Sequence, residues 1–166
     1  MVQRMHDQEF SDGMFYCILN NKLFLKGFGR LCITTLGSFF NAVRSIVHDN
    51  HIQTVFLDLA ECSYLDSTIL GNLVGIHKLM VQLGDLEICH PSHEAQEMMY
   101  TMGLNRILHL SDAPLDFPDN LLPFPRQVPT DAHNVLKAHT VLSDLSPENA
   151  QRFASLKNIL ERQIKK

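Results

Sequence analysis

The spacing of apolar and polar positions along this 166-residue chain changes several times, and each change marks an element. "FYCILNNKLFLKGF" holds two β-rich runs, Phe15 to Leu19 and Lys22 to Phe28, around Asn20-Asn21. Two asparagines suit a two-residue hairpin turn because Asn tolerates positive φ. From 34 to 49 the period lengthens. Leu36, Phe39, Phe40, Val43, Ile46 and Val47 make one apolar stripe, which predicts a helix with Thr34, Thr35 and Ser38 near its start. "TVFLDLA", 54–60, is apolar almost throughout, the pattern of a strand covered on both faces. A second helix is predicted over 68–83, with Ile69, Leu73, Ile76, Met80 and Leu83 inward and Gly84 at its end. Gly71 and Gly75 share one face of it, which is expected to pack closely on a sheet. "LEIC" reads as a short strand. Pro91-Ser92 then open a helix with Ala95, Met98, Met99 and Met102 inward, Gly103 closes it, and "RILHL", 106–110, is a last strand.

Strands alternating with helices predict an α/β fold. Its sheet is mixed and mostly parallel, of about five strands, with an N-terminal β-hairpin and crossover helices. The pattern then breaks. "APLDFPDNLLPFPRQVP" holds five of the seven prolines, a density that excludes a regular helix or central strand. Leu115, Phe117, Leu121, Leu122 and Phe124 nonetheless call for a surface to lie on. Two helices follow. One starts at the cap Asp131 and runs to Ser143; the other is opened by Ser146-Pro147-Glu148, with Phe153, Leu156, Leu160 and Ile164 in one stripe. The expected organisation is a domain over 1–112, a Pro-rich strap over 113–130 and a C-terminal αα-hairpin over 131–166. The hairpin must pack on the domain or on a second copy, which makes a homodimer through these helices one expectation.

Composition narrows the function classes. At 45% hydrophobic the chain can bury a core. A net charge of −4, with 14 Lys plus Arg and no basic run, points away from nucleic acid. No stretch reaches the roughly 20 apolar residues that span a bilayer, and "MVQRMHDQEFSDG" lacks the apolar core of a secretion signal. The expectation is a soluble cytoplasmic protein with reduced thiols, since Cys17, Cys32, Cys62 and Cys89 are scattered and form no CxxC pair.

Candidate chemistry centres on Asp66-Ser67-Thr68, where the buried strand hands over to the second helix. One of the three can cap the helix. Ser67 can instead be a nucleophile, although the stretch is not G-x-S-x-G and no acid or base stands at an informative spacing. Or Ser67 is modified by another protein: a phosphate at a helix N-terminus meets free N–H groups and the positive dipole end. Elsewhere the signals are weaker. "CHPSH" places Cys89, His90 and His93 together without a further metal ligand, so no metal or other cofactor is expected. "KGFGR", 26–30, lacks the lysine and serine of a phosphate loop. His77 and Lys78 read as a wet helix face, and His133 and His139, six apart, do not form a pair.

The stretch "VFLDLAECSYLDSTILGNLVGIHKLM" resembles the signature region of the STAS family, the domain of bacterial anti-sigma-factor antagonists. That pattern is an apolar strand ending near an Asp, a short loop, Asp-Ser-Ser/Thr, and a helix with Gly and Leu. Here the strand is Val55 to Leu59 with Asp58, the loop is Ala60 to Leu65, and Asp66-Ser67-Thr68 precede Leu70, Gly71 and Leu73. "MGLNRILHL", 102–110, resembles the family's later helix end and last strand, and the likeness spans about residues 13–112. The resemblance implies a protein-binding module rather than an enzyme. In such families the unphosphorylated antagonist binds an anti-sigma kinase and frees a sigma factor; the kinase phosphorylates the serine and a phosphatase restores it. Carried over, Ser67 is the phosphoacceptor and Thr68 a secondary one. Asp66, Thr68, Asp58 and Arg30 then form its neighbourhood on the docking surface. Two positions depart from the pattern: Ile69 stands where a Gly is frequent, and Arg30 stands where many members carry an acid. A STAS scaffold whose serine is never phosphorylated is the alternative, and a small hydrolase using Ser67 the third.

Overall fold

The computed structural model describes residues 11–125 and 129–166. The polar opening through Phe10 and strap residues 126–128 lie outside the described residues. The chain forms an antiparallel hairpin of β1 (Gly13–Leu19) and β2 (Lys22–Leu31). Asn20 and Asn21 turn it with φ of 50° and 59°, the positive pair that lets a two-residue turn follow the right-handed twist of the strands.

The single helix predicted over 34–49 is two helices, α1 (Ile33–Leu36) and α2 (Phe39–Asp49). The break lies at Gly37, whose φ of 55° is cheap only without a β-carbon. Apolar spacing cannot see the break, because Leu36 and Phe39 are buried on either side of it. β3 (Thr54–Leu65) also differs, running to Leu65 where a loop from Ala60 was expected. β2 supplies the reason. It pairs Phe28 with Glu61, Gly29 with Cys62, Arg30 with Tyr64 and Leu31 with Leu65, across irregularities after Lys26 and Gly29. Bulges of this kind destroy the two-residue alternation that marks a strand in sequence.

The chain continues through α3 (Ser67–Leu83), β4 (Asp85–Cys89), α4 (His93–Thr101) and β5 (His109–Ser111). Ser92 caps α4, accepting from the Ala95 N–H at 3.1 Å. The last strand begins later than residue 106, because Leu104–Arg106 form a 3-10 turn that buries Leu104 and pairing with β4 starts at His109. Leu83, the last residue of α3, is exposed rather than inward.

Among the described residues the sheet has six strands, in the order β5-β4-β3-β2-β1-β6. β2, β3, β4 and β5 run parallel, while β1 is antiparallel to both of its neighbours. The sixth strand, β6 (Leu122–Pro123), comes from the strap and was not expected. It sits at the edge, where a proline's missing N–H is tolerated. The strap is held by aromatic rings. Phe117 lies edge-on to Phe24, which stacks on Phe56 at 5.3 Å, and Phe124 meets Tyr16 and Phe39 at 5.7 Å each. Phe24 points opposite to its neighbours Leu23 and Leu25. Phe117 therefore covers a small second cluster, away from the main core that Leu23 and Leu25 share with Val55, Leu57, Ile69, Leu73 and Ile88.

Two helices complete the chain, α5 (Ala132–Ser143) and α6 (Pro147–Ile164). Asp131 and Ser146 cap them, accepting from the Asn134 and Asn149 N–H groups. They pack on each other, and α5 lies along α3. Leu142 and Phe153 enter the main core. Asn149, 1% exposed, donates from Nδ2 to the carbonyls of Met102 and Leu142 at 2.9 Å each, pinning α6 to the end of α4 and to α5. Gly71 and Gly75 serve these helix contacts rather than the sheet. A β-carbon at Gly71 would collide with the Ala138 carbonyl of α5, and one at Gly75 would press on the Phe40 ring of α2 at 3.1 Å. No described helix is long and apolar enough to cross a membrane.

Candidate functional site at the start of α3

The end of β3 delivers Asp66 and Ser67 to one edge of the fold. Asp66 is the N-cap of α3. Its Oδ1 accepts from the Ile69 N–H at 2.8 Å and its Oδ2 from the Ile33 N–H, the first of α1, at 2.9 Å. One carboxylate therefore caps two helices and ties the β2–α1 connection to α3. Asp66 carries out the capping, and Ser67, the first residue of α3, is left free of that role.

Ser67 is partly exposed and lines an open depression of about 440 Å³ with Tyr64, Leu65, Leu70, Glu97, Met98, Thr101, Met102 and Phe153. Its hydroxyl meets His139 of α5, with 2.8 Å between Oγ and Nε2. His139 is 1% exposed; its Nδ1 lies 2.7 Å from the Val135 carbonyl and its ring stands edge-on to Phe153 at 4.9 Å. A carbonyl only accepts, so Nδ1 carries a proton. In the neutral ring Nε2 then accepts from the Ser67 hydroxyl.

Thr68 is buried at 5% exposure, which withholds its hydroxyl from an outside enzyme in this arrangement. Arg30 is exposed and lays its guanidinium over the Tyr64 ring at 4.2 Å, beside the depression that Ser67 lines. Asp58 lies elsewhere. It precedes the end of β3 by several residues, roughly 20 Å along a strand, and is itself buried. It accepts from the Ala60 N–H at 2.8 Å and stands 3.8 Å from His90 Nδ1. The structure thus gathers Asp66, Ser67 and Tyr64 with Arg30, and leaves Asp58 with His90. His93 pairs with Glu97 on its own helix, and no set of three metal-ligating side chains occurs among the described residues.

His139 is the residue that sequence spacing missed. The available signal was its place on α5 beside Ala138 and one turn from Leu142, an imidazole on the face that packs inward. A buried imidazole needs a partner, but nothing in the sequence says that the partner is Ser67.

Cys32 lies beside this site as the N-cap of α1. Burial works against its thiolate, yet hydrogen bonds with Thr34 and Thr35 outweigh burial and hold the thiol below its ordinary value. Burial pushes Cys62 up to about 11, and burial together with Glu87 and Asp58 pushes Cys89 up to about 12. Because the thiolate is the nucleophile, iodoacetamide at about pH 8 is expected to alkylate Cys32 well before Cys62 or Cys89. Peptide mass spectrometry of the native chain reads the order; equal labelling of Cys62 would contradict it.

Against known proteins, the model of the STAS domain family matches residues 18–114. Among solved structures, an NMR structure of the protein TM1081 is 22% identical, covering 68% of this chain and 88% of its own, with a TM-score of 0.54. A crystal structure of TM1081 from Thermotoga maritima, described as a putative anti-sigma factor antagonist, is 22% identical over 59% of this chain and 85% of its own, with a TM-score of 0.47. The anti-sigma factor antagonist SpoIIAA in its unphosphorylated form is 14% identical over 60% of this chain and 88% of its own, with a TM-score of 0.49. No curated protein matches the sequence significantly. The family match ends before α5 begins, so His139 and the whole α5–α6 hairpin lie beyond it.

Proposed function

Since the chain belongs to the STAS domain family, we propose that it is a phosphorylation-controlled binding module of the anti-sigma-factor antagonist kind. Unphosphorylated, it binds an anti-sigma kinase; phosphorylation of Ser67 releases that partner, and a phosphatase resets the switch. The observation that carries this reading is the division of labour at the start of α3. Asp66 holds both helix starts, so Ser67 is free to be modified without loss of the cap. A phosphate there sits at a helix N-terminus, where backbone N–H groups and the dipole favour an anion. It places about −1.5 to −2 charges in the middle of a contact surface, enough to repel or desolvate a docked partner. Arg30 over Tyr64 supplies a cation at the same edge.

Incubation with the anti-sigma kinase of the same cell and ATP, followed by peptide mass spectrometry, is expected to find phosphate on Ser67 and none in Ser67→Ala. Ser67→Asp is expected to bind the kinase about 10-fold more weakly or worse, a change of about 1.4 kcal/mol. Absence of phosphate from both Ser67 and Thr68 would sink the switch and leave a scaffold.

The Ser67–His139 contact favours a second reading, a hydrolase, because an imidazole that accepts from a serine hydroxyl is the start of a nucleophile–base pair. A backbone carbonyl orients the imidazole where such sites commonly use a carboxylate. Turnover of generic p-nitrophenyl esters that disappears in both Ser67→Ala and His139→Ala would establish it.

A further inference from the structure

The face of α3 that carries Ser67 is already occupied. α5 crosses it so closely that Gly71 leaves no room for a β-carbon against the Ala138 carbonyl. Asn41 of α2 donates to Asn134 of α5 at 3.4 Å, Lys137 lies over the Phe40 ring at 5.2 Å, and Ser67 donates to His139. We propose that the α5–α6 hairpin is a displaceable internal occupant of the docking surface on α3, and that closure of the hairpin and phosphorylation of Ser67 exclude one another. This rests on the reading of Ser67 as the phosphoacceptor and names the regulation of that site.

The exclusion starts at the Ser67–His139 hydrogen bond. Phosphorylation by a nucleoside triphosphate forms an Oγ–P bond, breaks the bond from the γ-phosphorus to the departing diphosphate and releases the hydroxyl proton. The proton that the neutral His139 Nε2 accepts from Oγ is then gone, and acceptor faces acceptor across the 2.8 Å contact, beside the added phosphate charge. The imidazole has little freedom to step aside, being 1% exposed, bonded to the Val135 carbonyl of its own helix and packed on Phe153. To move the ring, α5 has to move, and α6 goes with it because the two pack on each other.

The hairpin is also placed so that it can leave. None of the sheet's strand pairings involves α5 or α6, and the six strands are complete at β6, before the hairpin begins. Its joints with α3 and α2 mix buried apolar contact from Ala138 and Leu142 with the Ser67–His139 and Asn41–Asn134 hydrogen bonds, and because Leu142 and Phe153 reach the main core, opening exposes apolar surface for a partner to cover. The vacated surface fits an amphipathic helix of a partner protein that carries a small residue opposite Gly71, as α5 does with Ala138. Closure lowers that partner's apparent affinity by the fraction of molecules open. By reciprocity, phosphate on Ser67 shifts the chain toward the open form.

The test uses the full-length chain with phosphoserine installed at position 67 during translation, so no kinase is involved. Hydrogen exchange read by mass spectrometry is expected to speed up by about 10-fold or more across α5 and α6, with β2, β3 and β4 unchanged. Ala138→Glu, which puts a charge into the joint without touching Ser67, is expected to open the hairpin in the same way. Equal protection of α5 and α6 in the unmodified and phosphorylated chains would overturn the proposal. So would loss of protection in the sheet whenever the hairpin loosens, because the hairpin would then be part of one cooperative core. If the chain opens as expected but no kinase phosphorylates Ser67, the functional reading fails and the exclusion stands.

Discussion

Asp66→Ala is expected to lower the unfolding free energy by about 2–4 kcal/mol, measured by urea denaturation of the full chain. The carboxylate accepts two backbone hydrogen bonds, from Ile69 and Ile33, at the starts of α3 and α1. Hydrogen bonds to a charged group contribute about 1.5–3 kcal/mol each, and the partial exposure of Asp66 puts both near the lower end. Asp66→Asn separates the two. Its amide oxygen can still accept from Ile69, but its NH₂ offers a donor to the Ile33 N–H, so roughly half of the loss is expected. A loss below about 0.5 kcal/mol for Asp66→Ala would mean that the double cap does not hold the site. The outcome bears on function because the proposed freedom of Ser67 depends on Asp66 doing the capping.

Phe39→Ala is expected to cost more, about 3–5 kcal/mol, the usual range for removing a fully buried aromatic ring. Phe39 is 0% exposed at the first turn of α2 and meets Phe124 of the strap. Its loss opens a cavity and also removes half of the seat on which the strap ends. Phe124→Ala is expected to cost less, because that ring is only partly buried and keeps Tyr16 as its other neighbour. The double variant should fall short of the sum of the two, since both remove the same contact. Additive losses measured by denaturation would show that the strap and α2 are not coupled through these rings.

The alternation of strands and helices was legible from residues 14 to about 110 because each element there hides an apolar face, and burial writes its period into the sequence. Asn20-Asn21, Ser92, Asp131 and Ser146 were legible for a different reason: turns and caps are local, and a few neighbouring atoms settle them. The misses have two causes. Gly37 splits α1 from α2 locally, by its positive φ, without disturbing the apolar stripe. The second half of β3 owes its strand state to bulged pairing with β2, and β6 exists only because β1 has an open edge beside the strap, so both depend on a partner distant in the chain.

The candidate site divides along the same line. Asp66-Ser67-Thr68 at a strand-to-helix junction, and the likeness to the STAS signature around it, belong to the sequence by itself, because cap chemistry and a short signature are both local. Tertiary structure alone decided that Asp66 caps two helices, that Thr68 is buried while Ser67 is not, and that the Ser67 hydroxyl meets His139 from far along the chain. Gly71 shows why. In sequence it is one small residue on a helix face, open to a sheet or to another helix. Only the fold brings the Ala138 backbone against it and, one residue on, His139 against Ser67. A side chain's spacing limits which face it is on; what lies across that face is set by how the whole chain packs.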